Sequence, residues 1–314
     1  MSGLGAVYIT IRNDDSGGWH GMQALLPCAE GGAEGELNMF YRQVSDWDDA
    51  YANGANIPQG DRWPDAWVAP AQAYRDALSA AGRAELDIPY GDGARNHFDL
   101  FLPEGKPAGL VVFIHGGFWL KLDKSFWSHL AAGAVDSGYA VAMPSYTLCP
   151  ENSISGIVRE IGAAVTAAAG RVDGPLVLTG HSAGGHLASR MACETSPLPA
   201  DVRARLRHVL SISGVHDLRP MMKTAMNEGL KITQEEAQAE SPALLAPIPG
   251  VRLTCWVGAS ERGEFLRQNA LLANVWIGLG AQTAAVEEPD RHHFDVIDGL
   301  ADSSHQIVRC LLTA

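Results

Sequence analysis

From residue 110 onward, short apolar runs alternate with longer stretches whose apolar residues recur three and four positions apart. The run Leu110-Val111-Val112-Phe113-Ile114 is continuous rather than alternating, as expected of a strand covered on both faces. The pattern predicts strands over 110–115, 139–144, 176–180, 208–213, 252–258 and 282–287. It predicts helices over 124–136, 154–169, 183–193, 262–277 and 294–312. Such alternation specifies an α/β fold with a mostly parallel central sheet and helices on both faces. Right-handed crossovers then bring the C-terminal ends of the strands to one edge. Upstream, 84–89 and 97–102 alternate like two antiparallel strands around the turn signal Tyr90-Gly91-Asp92-Gly93.

Three further segments complete the organisation. Residues 39–82 are rich in aromatic residues, including Trp47, Tyr51, Trp63, Trp67 and Tyr74, and are helical around 66–81. They form either an N-terminal helical cap over the sheet edge or a lid that places rings over a bound substrate. Residues 1–38 are Gly-rich and aperiodic, which predicts a mobile N-terminal extension with Met39 as the biological start. The core then spans 83–314 and carries an insertion at 218–249, where Met221, Met222 and Met226 recur at near-helical spacing expected of packing residues.

Composition narrows the partners. A chain of 314 residues suffices for one large domain, and a formal charge of −13 without any Lys/Arg run excludes nucleic acid and an anionic membrane. Cys28, Cys149, Cys193, Cys255 and Cys310 are scattered, with no C-x-x-C and no histidines at ligand spacing, so buried free thiols and a reducing cytoplasm are expected, with no metal. No run of apolar residues reaches the length of a membrane span and no signal peptide is evident, which also points to the cytoplasm. Neither G-x-x-x-x-G-K-[ST] nor G-x-G-x-x-G follows a predicted strand, so no nucleotide cofactor is expected. A small-molecule partner is expected, and apolar cap helices leave room for a homodimer.

The chemistry begins at Gly180-His181-Ser182-Ala183-Gly184, which follows the apolar run 175–179 and precedes a helical stretch. This is a G-x-S-x-G nucleophile elbow in its strand-turn-helix context, where glycines permit a sharp turn and the serine projects from the top of the sheet. The strand at 110–115 ends in His115-Gly116-Gly117-Phe118-Trp119, a glycine turn whose exposed amides can face a developing oxyanion.

These two motifs, over roughly residues 39 to 312, resemble the α/β-hydrolases, and within them the HGGxW branch that includes kynurenine formamidases (arylformamidases) and related esterases. The resemblance implies that the amides of Gly117 and Phe118 form the oxyanion hole with that of Ala183, with His115, Gly116 and Trp119 supporting it. It also selects His293, immediately before Phe294, as the catalytic imidazole rather than His292. Ser145 departs from the pattern, since relatives often carry an acidic residue before the tyrosine.

The acid that orients the base is open to three readings. After the strand at 252–258 the chain reads Ala259-Ser260-Glu261-Arg262-Gly263-Glu264, with serine where relatives would accommodate an aspartate. Glu261 is favoured as the first carboxylate off the strand end, with a side chain long enough to reach an imidazole. Glu264 is the second choice, and Asp217, after the preceding strand, is expected to cap backbone amides. The implied function is a cofactor-free serine hydrolase, arylformamidase-like, acting through Ser182, Glu261 and His293 with an acyl pocket beside Phe118 and Trp119. The alternatives are a short-chain carboxylesterase or another amidase or lactamase, an acyltransferase, and a non-catalytic ligand-binding member of the fold, though such members lose the serine or histidine kept here.

Overall fold

The computed structural model describes residues 43–313. The extension at 1–38 and the start expected at Met39 lie outside the described residues. Among the described residues a single eight-stranded sheet runs through the molecule, built from β1 (Ala84–Pro89), β2 (His97–Phe101), β3 (Leu110–Ile114), β4 (Ala140–Pro144), β5 (Leu176–His181), β6 (Leu206–Ile212), β7 (Arg252–Gly258) and β8 (Thr283–Glu288). The spatial order is β1-β2-β4-β3-β5-β6-β7-β8. β2 pairs antiparallel with both β1 and β4, and every pairing from β4 to β8 is parallel.

The period of two in the strands sends their side chains into two separate cores. Leu110, Val112 and Ile114 of β3 join one cluster, while Val111 and Phe113 join the other. The first core is closed by α4 (Ile154–Ala169), α5 (Ala183–Met191) and α9 (Gly263–Gly278), the second by α2 (Trp63–Ala80), α3 (Ala132–Asp136) and α10 (Gln306–Leu312). Helices therefore lie on both faces, and β3 to β8 end along one edge.

The remaining helices are short: α1 (Trp47–Tyr51), α6 (Ala200–Arg205), α7 (Asn227–Leu230) and α8 (Gln234–Ala239). The last two lie in the 218–249 segment, where Met221 is fully buried and Met222 and Met226 pack against the first core. Helix α2 starts at Trp63, earlier than the apolar spacing indicates, because Pro64 occupies its first turn, where a missing N–H costs nothing.

Two predicted helices are broken. Over 124–136 only Ala132–Asp136 is α-helical, preceded by 3-10 turns at Lys124–Phe126 and Ser128–Ala131. The break falls at Trp127, whose φ of −127° lies outside the helical region and whose ring packs against Trp67 and His115. Over 294–312, a 3-10 turn at Asp298–Ala301 is separated from α10 by Asp302, whose carboxylate accepts the Ser304 amide, and by His305, whose Nδ1 accepts the Ile307 amide. Gly133 makes room for that turn, since a Cβ there would run into the Leu300 carbonyl.

Candidate active site

Ser182 lies between β5 and α5 at φ 56° and ψ −117°, a conformation that L-residues rarely adopt. Its amide is tied to the Ile212 carbonyl at 2.8 Å. The turn is tight enough to dictate its glycines. A Cβ on Gly180 would strike the Gly184 carbonyl, and one on Gly184 would strike the Ile114 carbonyl at the end of β3. One on Gly185 would come within 2.7 Å of Ser211 Oγ.

Next to the elbow, the turn leaving β3 puts Gly117, Phe118 and Trp119 in succession at positive φ, 108°, 53° and 59°. The Gly117 carbonyl accepts the amides of Leu120 and Lys121 at 3.0 and 3.1 Å. The amides of Gly117, Phe118 and Ala183 have no acceptor among the described residues, and Ala183 stands in the first turn of α5 where helical amides are unpaired. Gly116 presses on the elbow, for a Cβ there would lie 2.8 Å from the His181 carbonyl.

His115 underlies this turn. Its ring stacks on Tyr146 at 4.2 Å and 5°, and the Tyr146 hydroxyl donates to the His115 carbonyl at 3.0 Å. Burial pushes its imidazole down to about 4, so it is neutral at ordinary pH. Trp119 corrects the expectation of an acyl pocket beside Phe118 and Trp119. Phe118 lines the cavity, but Trp119 is fully buried and meets His186 edge-on at 5.2 Å, so it anchors the turn in the core.

The loop after β8 brings His293 into contact with the end of β7. Its Nδ1–H donates to Glu261 Oε2 at 2.6 Å, and both side chains are almost wholly buried. The other oxygen of Glu261 accepts the Ser213 hydroxyl at 2.5 Å and the Gly258 amide at 2.9 Å. Ser260 is exposed, with its amide on the Arg291 carbonyl. Behind the imidazole, His181 Nε2 lies 2.7 Å from the His293 carbonyl, and burial together with His293 holds His181 well below its ordinary range. A neutral His181 carrying its proton on Nε2 therefore donates to that carbonyl.

The other carboxylates serve elsewhere. Glu264 accepts the Tyr51 hydroxyl at 2.7 Å, the Gln268 side chain at 2.9 Å and both arms of Arg267. Gln268 in turn accepts the amides of His216 and Asp217 at 2.8 Å each, so α1, α9 and the loop after β6 are tied together. Asp217 accepts the Arg219 amide and forms an ion pair with the Arg219 guanidinium at 2.9 Å. His292 is half-buried and packs edge-on to Trp63 at 5.1 Å. Sequence reasoning missed Ser213 and Gly258 as partners of Glu261, and no local motif marks either.

Ser182, His293, Gly117 and Phe118 face one cavity of about 580 Å³. Its opposite wall comes from the N-terminal segment through Asn53, Ile57 and Trp67. The Trp67 ring packs on Trp127 at 5.1 Å and on Phe294 at 5.6 Å, an aromatic cluster whose members line the same cavity as Ser182. Among the described residues no group of three or more His, Cys, Asp or Glu side chains is placed to hold a metal ion.

A family model described as BD-FAE matches residues 98–247. A solved structure of a candidate thioesterase from Silicibacter sp. TM1040 is 49% identical to this chain, with a TM-score of 0.81, covering 86% of this chain and 99% of that one. The kynurenine formamidase of Danio rerio is 29% identical over 237 residues, 72% of this chain and 80% of that protein. Esterase B from Lactobacillus rhamnosis, 19% identical with a TM-score of 0.60 over 79% of this chain and 94% of its own, shares the fold. The chain thus belongs to the α/β-hydrolase family, among its esterase- and arylformamidase-like serine hydrolases.

Proposed function

We propose that the protein hydrolyses small-acyl aryl amides and esters through an acyl-enzyme, with aryl formamides of the N-formylkynurenine type as the favoured class. The observation that carries this reading is the buried His293–Glu261 pair in the cavity that also holds the strained Ser182. In it, His293 Nε2 takes the proton of Ser182 as the hydroxyl oxygen attacks the carbonyl carbon. The unpaired amides of Gly117, Phe118 and Ala183 receive the oxyanion. His293 then gives the proton to the departing amine or alcohol, and water repeats the cycle to release the acid. Glu261 holds the proton of His293 on Nδ1, which keeps Nε2 free as the base.

The aromatic cluster of Trp67, Trp127 and Phe294 suits a flat leaving group, and kynurenine formamidases are among the relatives. Thioester hydrolysis is a second reading, favoured by the name of the 49% identical structure. The unbridged thiols of Cys149, Cys193, Cys255 and Cys310 suit a cytoplasmic setting. The test compares kcat/KM on N-formylkynurenine, a short-chain aryl ester and a short acyl thioester, with Ser182→Ala as control. The formamide should give the highest value and the control should lose at least about 10³-fold. Turnover by Ser182→Ala at the wild-type rate overturns the mechanism, and a thioester preference moves the substrate assignment.

A further inference from the structure

The residue before the nucleophile does more in this structure than the elbow asks of it. The G-x-S-x-G pattern sets no requirement at its second position. Here that position holds His181, 3% exposed, whose side chain lines the cavity of Ser182 and His293. His181 is the last residue of β5 and pairs in register with Ile212 of β6, whose carbonyl also receives the Ser182 amide. Its side chain therefore starts from a firmly held point of the turn.

From there the ring reaches two other parts of the site. On one side is the oxyanion turn, where a Cβ on Gly116 would come within 3.4 Å of His181 Nδ1. On the other is the base. The two imidazole centroids are 4.5 Å apart at 44°, and His181 Nε2 donates to the His293 carbonyl at 2.7 Å.

The loop that carries His293 needs such a bond. His293 stands between β8 and the 3-10 turn at Asp298–Ala301, outside any helix or strand. Its neighbours are tied down: the Arg291 carbonyl accepts the Ser260 amide at 2.9 Å, and the His292 amide donates to Asp295 at 2.7 Å. The amide and carbonyl of His293 itself have no main-chain partner among the described residues. Its imidazole is held at Nδ1 by Glu261 and packs on Phe265 at 4.5 Å, but neither contact fixes the main chain from which it springs. A misplacement of about 1 Å between reacting groups can cost about 10² in rate.

We infer that His181 is a positioning residue: its Nε2–H, donated to the His293 carbonyl, fixes the main chain of the base against the strand that carries the nucleophile. The inference rests on the proposed roles of Ser182 and His293, and it adds a residue that the triad does not include. Burial and the neighbouring imidazole keep His181 neutral, so it does not compete for the proton that passes between Ser182 and His293.

The test compares variants of the full-length enzyme, each first shown to be folded by a thermal melt. His181→Leu removes both ring and donor, and His181→Phe keeps a ring without the donor. His181→Gln keeps the donor, since its NH₂ stands three bonds from Cβ, as Nε2 does in histidine. The readouts are steady-state hydrolysis of phenyl acetate and the rate of labelling by a small fluorophosphonate, which also needs Ser182 and its base. The two donor-free variants should lose about 10- to 10²-fold in kcat with KM within about threefold, and label more slowly by a similar factor. His181→Gln should stay within about threefold of wild type in both. The proton between His293 Nδ1 and Glu261, identified in ¹H spectra by its loss in Glu261→Gln, should exchange with water faster in His181→Leu than in His181→Gln. A folded donor-free variant at the wild-type rate overturns the inference. Equal losses in His181→Gln and the donor-free variants, or equal proton exchange, overturn it in favour of a packing role. Absence of both turnover and labelling in wild type, or undiminished turnover by Ser182→Ala, would instead bring down the functional reading on which it rests.

Discussion

Replacing Glu261 by glutamine changes one atom and tests the orientation of the base directly. The geometry dictates which way the new amide must turn. Gly258 N–H, 2.9 Å from Oε1, can only donate, so the glutamine oxygen stays there and also receives Ser213. The NH₂ group then faces His293 Nδ1, where the carboxylate oxygen stood at 2.6 Å. Two donors cannot share that contact, so His293 moves its proton to Nε2, the nitrogen that must be free to accept from Ser182.

The lost charge adds to the wrong tautomer. With charge centres about 4 Å apart and an effective dielectric near 20, the attraction between carboxylate and imidazolium is about 4 kcal/mol, or roughly 10³ in rate. Including the tautomer, kcat should fall by about 10³ to 10⁴, the range of the corresponding change in a Ser-His-Asp triad. KM should change little. The assay is steady-state hydrolysis of a short aryl ester, with a thermal melt to establish that the variant is folded. A folded Glu261→Gln protein that keeps more than a tenth of the wild-type kcat would refute the assignment of the acid.

Glu264→Gln supplies the contrast: it should lower the melting temperature by loosening Tyr51 and Arg267 yet hold kcat within about tenfold of wild type, as steady-state rates on the folded variant would show. Gly117→Ala places a Cβ against the Lys121 carbonyl at a φ of 108°, so it should displace the unpaired amides and cut kcat by about 10² to 10³, read with the same ester. Lys124→Met leaves Asp99, 1% exposed and 2.6 Å from the ammonium, without its charge partner; chemical denaturation should register a loss of about 3–5 kcal/mol, largely recovered by adding Asp99→Asn. Burial depresses His115 and His186 to about 4 and His216 to about 3, so the unfolded chain binds more protons below pH 6.5. Their stabilisation is complete above that pH and is lost as pH falls toward 4, by about 2 kcal/mol each at pH 5. Melting temperatures that stay level from pH 7.5 to 5 would contradict this.

The sequence revealed those parts of the fold and site that local geometry forces on residue type. The elbow needs its glycines because carbonyls crowd Gly180 and Gly184, and the turn after β3 needs Gly117 for its positive φ. Continuous apolar runs located β3 and β4, since a strand covered on both faces admits little else. Features set by distant partners were not legible. Ser213 lies 48 residues from Glu261, and nothing near either marks the bond. Trp119 sits in a motif yet faces the core toward His186, because three successive left-handed residues turn it away from the cavity. The break at Trp127 likewise comes from packing on Trp67 and His115, to which helical periodicity is blind.

The bond from Tyr51 to Glu264 joins residues 213 positions apart, and Gln268 links the same helix to the loop after β6. Glu261 stands just before that helix, and His293 follows β8. As the polypeptide leaves the ribosome, Ser182 and the oxyanion turn emerge first, without their base and without the clamp that seats the N-terminal wall. On the proposed roles, a chain cut after β6 would carry the nucleophile but neither its base nor the acid that orients it. On that reading, hydrolysis depends on α9 meeting Tyr51 and on the loop after β8 meeting Glu261.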